Sequence, residues 1–108
     1  MTDIRVIRIE EEKLDFFNVA KLESKMIALF KEKPDAIVFD MSKVLIADSR
    51  AIGLFVGFKI QADAKDVEFA MFGLTNDVQY IFKVTTIDKT ISIYENEQEA
   101  LEKIEDLI

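Results

Sequence analysis

The sequence predicts a single α/β domain over residues 1–108, a mixed, largely parallel sheet of about four strands flanked by about four helices. Three observations carry that prediction. Short apolar or β-branched runs alternate with longer segments whose apolar residues recur at spacings of three and four. With three Gly, one Pro and no low-complexity stretch or internal repeat, nothing reads as a linker. Half of the residues are hydrophobic and 32% are charged, the profile of a folded domain able to bury about two-thirds of its unfolded surface.

The elements follow in order. Ile4 to Ile9 is short and rich in β-branched residues, a strand, followed by a polar turn from Glu10 to Lys13. From about Asn18, the residues Val19, Leu22, Met26, Leu29 and Phe30 place one apolar stripe on a helix that Asn18 or Asp15 can cap and that Pro34 ends. Ala36 to Met41 is a nearly continuous apolar run, as in a strand buried on both faces. A second helix starts after Asp48-Ser49 and runs to about Ala64. Val67 to Phe72 is a second buried strand, with Gly73 at its exit. Thr75 and Asp77 open a short helix carrying Val78, Ile81 and Phe82, and Thr90 to Tyr94 reads as the last strand. Asn96 and Glu99 form a capping-box-like pair before a final helix with Leu101, Ile104 and Ile108 on its buried stripe.

Composition narrows function. A formal charge of −7 with no basic cluster argues against nucleic acid and against anionic membranes. With no His and no Cys, the usual general base, nucleophilic thiolate and soft metal ligands are missing, and no glycine-rich phosphate loop is present, so neither an enzyme nor a cofactor is expected. Met1 to Arg5 lacks a signal-peptide core, and no segment approaches the roughly 18 apolar residues of a membrane span, so no membrane insertion and a cytoplasmic location are expected.

The informative stretch is Val44 to Phe58. Ser49 is placed to cap the second helix through its hydroxyl. Asp40 at a strand end and Asp48 beside the serine are expected to gather at the carboxyl end of the sheet, where open α/β folds place functional loops. The helix carries more apolar surface than one face needs: Ile52, Phe55, Val56 and Ile60 can cover the sheet, leaving Ala51, Leu54 and Phe58 as a second stripe. That stripe is expected to be a partner-binding face, with packing inside the fold as the alternative.

Asp40-Met41-Ser42-Lys43-Val44, followed by Ile46-Ala47-Asp48-Ser49, resembles the strand, loop and serine of STAS domains, above all bacterial anti-sigma factor antagonists. Leu14-Asp15, Thr85 to Lys89 and Glu97 to Leu101 extend the resemblance over nearly the whole chain. It implies a STAS-like fold and a transcription regulator that binds an anti-sigma factor. The resemblance further implies that this partner is itself a serine kinase, that its target is Ser49, and that a phosphatase reverses the switch. Asp15, Asp40, Asp48 and Arg50 are then the surroundings of the phosphoacceptor. The chain departs from the family pattern at Arg50 and Ala51, and has Glu12 where a glycine is usual, so one opening strand is expected in place of a hairpin. A constitutive STAS subunit of a larger assembly, in lipid transport or stress sensing, is the alternative. A small-molecule sensor built on the loop of Asp40 and Ser49 is a third.

Overall fold

The computed structural model describes residues 2–108. Strands β1 (Ile4–Arg8), β3 (Ala36–Asp40), β5 (Glu68–Phe72) and β6 (Ser92–Tyr94) form one sheet in the order β1-β3-β5-β6. Every pairing is parallel, with Ile7 opposite Phe39 and Phe39 opposite Met71. Parallel neighbours need crossovers, and helices α1 (Val19–Glu32), α2 (Ser49–Ala64) and α3 (Asn76–Val84) supply them, with α4 (Glu97–Leu107) closing the chain. Two features had no counterpart in the pattern. The strands β2 (Lys13–Leu14) and β4 (Ile46–Ala47) pair with each other in a separate parallel ribbon, and a 3-10 turn spans Ile87–Lys89.

Strand alternation sorts side chains into two cores. Ile7, Ile37, Phe39, Phe69 and Met71 face α1, α2 and α3, whereas Ala36, Val38, Ala70 and Phe72 face Ala100 and Ile104 of α4. The first face is the aromatic one. Phe39 lies 5.0 Å from Phe69, 6.0 Å from Phe55 and 6.1 Å from Phe58 between ring centroids, all three edge-to-face, and Phe58 reaches Phe30 of α1 at 6.5 Å. On the opposite face the alanines Ala36 and Ala70 of the sheet and Ala100 of α4 are the small residues of the contact.

This packing corrects the expected division of α2. Its buried residues are Ala51, Phe55, Phe58 and Ala62, spaced by four, three and four. Ala51 and Phe58 are 1% and 2% exposed, so they belong to the core and are no docking face, while Ile60, expected to cover the sheet, is 64% exposed. The reason is that Phe55 and Phe58 both pack on Phe39 of the sheet, with Phe58 also meeting Phe69 and Phe30 of α1, so one stripe of α2 is covered by the sheet and α1 together. Of the proposed stripe only Leu54 keeps partial exposure.

The helix ends follow their sequence signals only in part: Asn18 stands at the start of α1 but makes no side-chain cap bond. Lys33 takes the left-handed conformation, φ 50°, to close α1 ahead of Pro34. Asn96 caps α4 by accepting from the Glu99 amide at 2.9 Å, one half of the expected capping box. Thr75 caps nothing through its side chain; its hydroxyl donates to the Val44 carbonyl at 2.7 Å, which ties the start of α3 to the loop after β3.

Candidate functional site

Two strands of two residues build the site. In the β2–β4 ribbon Leu14 pairs with Ala47, and the Asp48 amide donates to the Leu14 carbonyl at 3.0 Å. That register brings the segment after β2, Asp15 to Asn18, beside the start of α2. Asn18 shapes the segment: its Oδ1 accepts from the Asp15 amide at 3.0 Å, and its Nδ2 donates to the Lys13 carbonyl at 2.6 Å. Asp15 accepts from the Phe17 amide at 2.9 Å and lies 3.8 Å from the Lys13 ammonium.

Asp48, not Ser49, is the N-cap of α2. Its backbone is extended, φ −83° and ψ 179°, and its Oδ1 accepts from the Ala51 amide at 3.0 Å. Its other oxygen accepts from the Phe16 amide at 3.1 Å, so one carboxylate closes the helix and holds the neighbouring segment. The cap expected of Ser49 has therefore moved back by one residue. Ser49 is the first helical residue, exposed, and its hydroxyl makes no hydrogen bond among the described residues. The amides of Ser49 and Arg50 likewise meet no acceptor there, as is usual for a first helical turn.

Arg50 lies with its guanidinium 5.4 Å from the centroid of the Phe16 ring. Phe16 and Phe17 meet edge-to-face at 5.7 Å and are 64% and 89% exposed. This aromatic step was missed by sequence reasoning because it lies in a turn, outside any helical or strand period; two adjacent Phe residues after Asp15 were the only signal. Beside it runs a shallow groove of about 390 Å³, lined by Glu23 of α1 and by Ser49, Arg50, Gly53, Leu54 and Gln61 of α2.

Asp40 does not join this group. Its Oδ1 accepts from the Ser42 amide at 3.0 Å and from the Ser42 hydroxyl at 2.7 Å, and its Oδ2 accepts from Arg8 at 3.0 Å. Arg8 in turn grips Glu97 at the start of α4. Burial pushes the Asp40 carboxyl up, but the bonds from Ser42 and Arg8 outweigh it and leave the group below its ordinary value. Asp15, Asp48, Ser49 and Arg50 thus form one neighbourhood, and Asp40 fastens the sheet to α4. Among the described residues no cluster of His, Cys, Asp or Glu suited to a metal ion occurs, and no helix is long and apolar enough to cross a membrane.

The geometry has clear relatives. The family model described as "STAS domain" matches residues 2–100. An anti-sigma factor antagonist from Mycobacterium paratuberculosis superposes with a TM-score of 0.86 at 19% identity, covering 97% of this chain and 88% of that one. The anti-sigma factor antagonist SpoIIAA in its unphosphorylated form gives 0.80 at 19% identity, covering 100% and 93%. A sulfate transporter family protein from Wolinella succinogenes gives 0.81 at 13% identity, covering 96% and 86%.

Proposed function

The chain belongs to the STAS domain family, and from that premise we propose that it is a protein-binding regulator of the anti-sigma factor antagonist type, released from its partner by phosphorylation of Ser49. The partner is an anti-sigma factor with serine kinase activity, and a phosphatase restores the binding form. One observation carries the reading: the hydroxyl of Ser49 is exposed and free of structural duty, because Asp48 does the capping. A modification there leaves the helix end intact.

The chemistry belongs to the partner. Both oxygens of Asp48 accept backbone amides, and the chain has no His or Cys, so no group of its own is placed to activate the serine. The kinase transfers the γ-phosphoryl of ATP to the Ser49 oxygen, its own base takes the hydroxyl proton, and ADP leaves. The product sits against two free amides and the positive end of the helix dipole, so the fold tolerates it. The phosphate adds about two negative charges to a surface holding Asp15, Asp48 and Glu23, beside exposed Phe16 and Phe17, and opposes an apolar or acidic partner surface by repulsion and desolvation.

A second reading keeps the surface and drops the modification: a constitutive STAS subunit of a larger assembly. In its favour, Arg50 stands beside Ser49 with a positive charge that offsets part of an added phosphate. The two readings separate on one experiment. Partner captured from native lysate is measured against the wild type, Ser49→Ala, Ser49→Asp and Phe17→Ala, with phosphopeptide mapping of the bound chain. Ser49→Asp is expected to weaken binding about tenfold or more, Ser49→Ala to retain it, and Phe17→Ala to weaken it without loss of stability. Full affinity in a stoichiometrically phosphorylated sample overturns the switch.

A further inference from the structure

We infer that Arg50 is the receiver of the phosphoryl group on Ser49, a latch that lies on the Phe16 ring in the unmodified protein and leaves it for the phosphate, uncovering the ring beside Phe17. This rests on Ser49 being the phosphoacceptor. Three observations place the latch. The guanidinium stands 5.4 Å over the Phe16 ring, and among the described residues Arg50 forms no ion pair. The nearest carboxylate in sequence, Asp48, is turned to the Ala51 and Phe16 amides, one on each oxygen, and makes no ion pair with Arg50 among the described residues. Ser49 and Arg50 line the same open groove, which puts a phosphate on Ser49 within the sweep of the flexible arginine.

The direction of transfer follows from the strengths of the two contacts. An exposed cation–π contact is among the weaker interactions of a charged side chain, whereas guanidinium and phosphate meet through two parallel charge-assisted hydrogen bonds. A dianion on Ser49 therefore wins the arginine. Glu23 across the groove, with Asp48 and Asp15 beside it, disfavours the dianion; Arg50 and the two free amides favour it. Phosphorylation thus does two things at once: it places charge at the groove, partly neutralised by Arg50, and it changes what covers the aromatic step.

The test uses the full chain carrying phosphoserine installed synthetically at position 49, so it does not depend on any kinase. The second ionisation of the phosphate is followed by phosphorus NMR in the wild type, Arg50→Gln and Phe16→Leu; all the changed side chains are exposed, so the fold is kept. The phosphate of Arg50→Gln is expected to titrate about half a unit higher than that of the wild type, roughly a threefold change in proton affinity. Phe16→Leu, which removes the competing ring, is expected to titrate lower than the wild type. The Phe16 ring resonances of the phosphorylated wild type should move toward those of unmodified Arg50→Gln. Identical titrations in all three proteins, or a Phe16 ring unmoved by phosphorylation, overturn the latch. Failure of the captured kinase to modify Ser49 overturns the phosphoswitch instead, and the two failures are read separately.

Discussion

Asp48 is the residue on which the start of α2 depends, and replacing it tests the division of labour between the cap, Asp48, and the proposed phosphoacceptor, Ser49. Asp48→Ala removes the acceptor of the Ala51 amide at 3.0 Å and that of the Phe16 amide at 3.1 Å. Loss of an N-cap costs about 1 kcal/mol, and the second bond adds about 0.5 kcal/mol because water replaces the carboxylate at an exposed loop. For 108 residues, an unfolding entropy of about 2.1 cal/mol/K per residue converts that total of about 1.5 kcal/mol into a Tm lower by about 7 °C. Ser49→Ala removes a hydroxyl with no partner and should stay within about 0.5 kcal/mol of the wild type. Asp48→Asn keeps a capping oxygen and should recover most of the loss, and the double variant Asp48→Ala/Ser49→Ala should match Asp48→Ala alone. Differential scanning calorimetry with urea melts at neutral pH measures all four. A Tm within about 2 °C of the wild type for Asp48→Ala, or an equal loss from Ser49→Ala, refutes the assignment of the cap.

Two further outcomes follow from the packing and the charge network. Phe58→Ala empties a site bounded by Phe30, Phe39 and Phe69 and should cost about 3–5 kcal/mol by urea denaturation, so any loss of partner binding in Phe58 variants should track the unfolded fraction. Asp40 holds a folded-state value lowered from 3.8, so its contribution to stability is present above 3.8 and is lost as the pH falls through the lower folded value. Ser42→Ala, which removes the hydroxyl bond but keeps the amide one, and Arg8→Gln, which removes the cation, should each flatten that acid loss in part, as urea midpoints compared between neutral pH and pH below 3.8 will show.

The main sheet and all four helices were legible because each element is long enough to repeat its own period. The β2–β4 ribbon was not, since two residues per strand contain no period, yet this ribbon brings Asp15 and Phe16 to Asp48. The start of α2 was visible as Asp48-Ser49, but both residue types cap helices well; the extended backbone of Asp48 decided between them. The buried side of α2 was ambiguous because Leu54, Val56 and Ile60 are as apolar as Ala51 and Ala62, and only the tertiary packing against Phe39 and Phe69 of the sheet and Phe30 of α1 selects Phe58 for the core. Asp40 was grouped with Ser49 from its place at a strand end; its partner Arg8 is 32 residues away in sequence, beyond any local signal.

The outer strand β1 carries the second arginine pattern of the molecule. Arg5 bonds Asp3 and reaches Glu32 at the end of α1, while Arg8, on the opposite side of the strand, holds Asp40 and Glu97 at the start of α4. Each of these exposed pairs adds little to global stability. Their effect is local: the longer edge strand of a wholly parallel sheet is tied to α1 on one face and to α4 on the other, so it frays less than an unsupported edge.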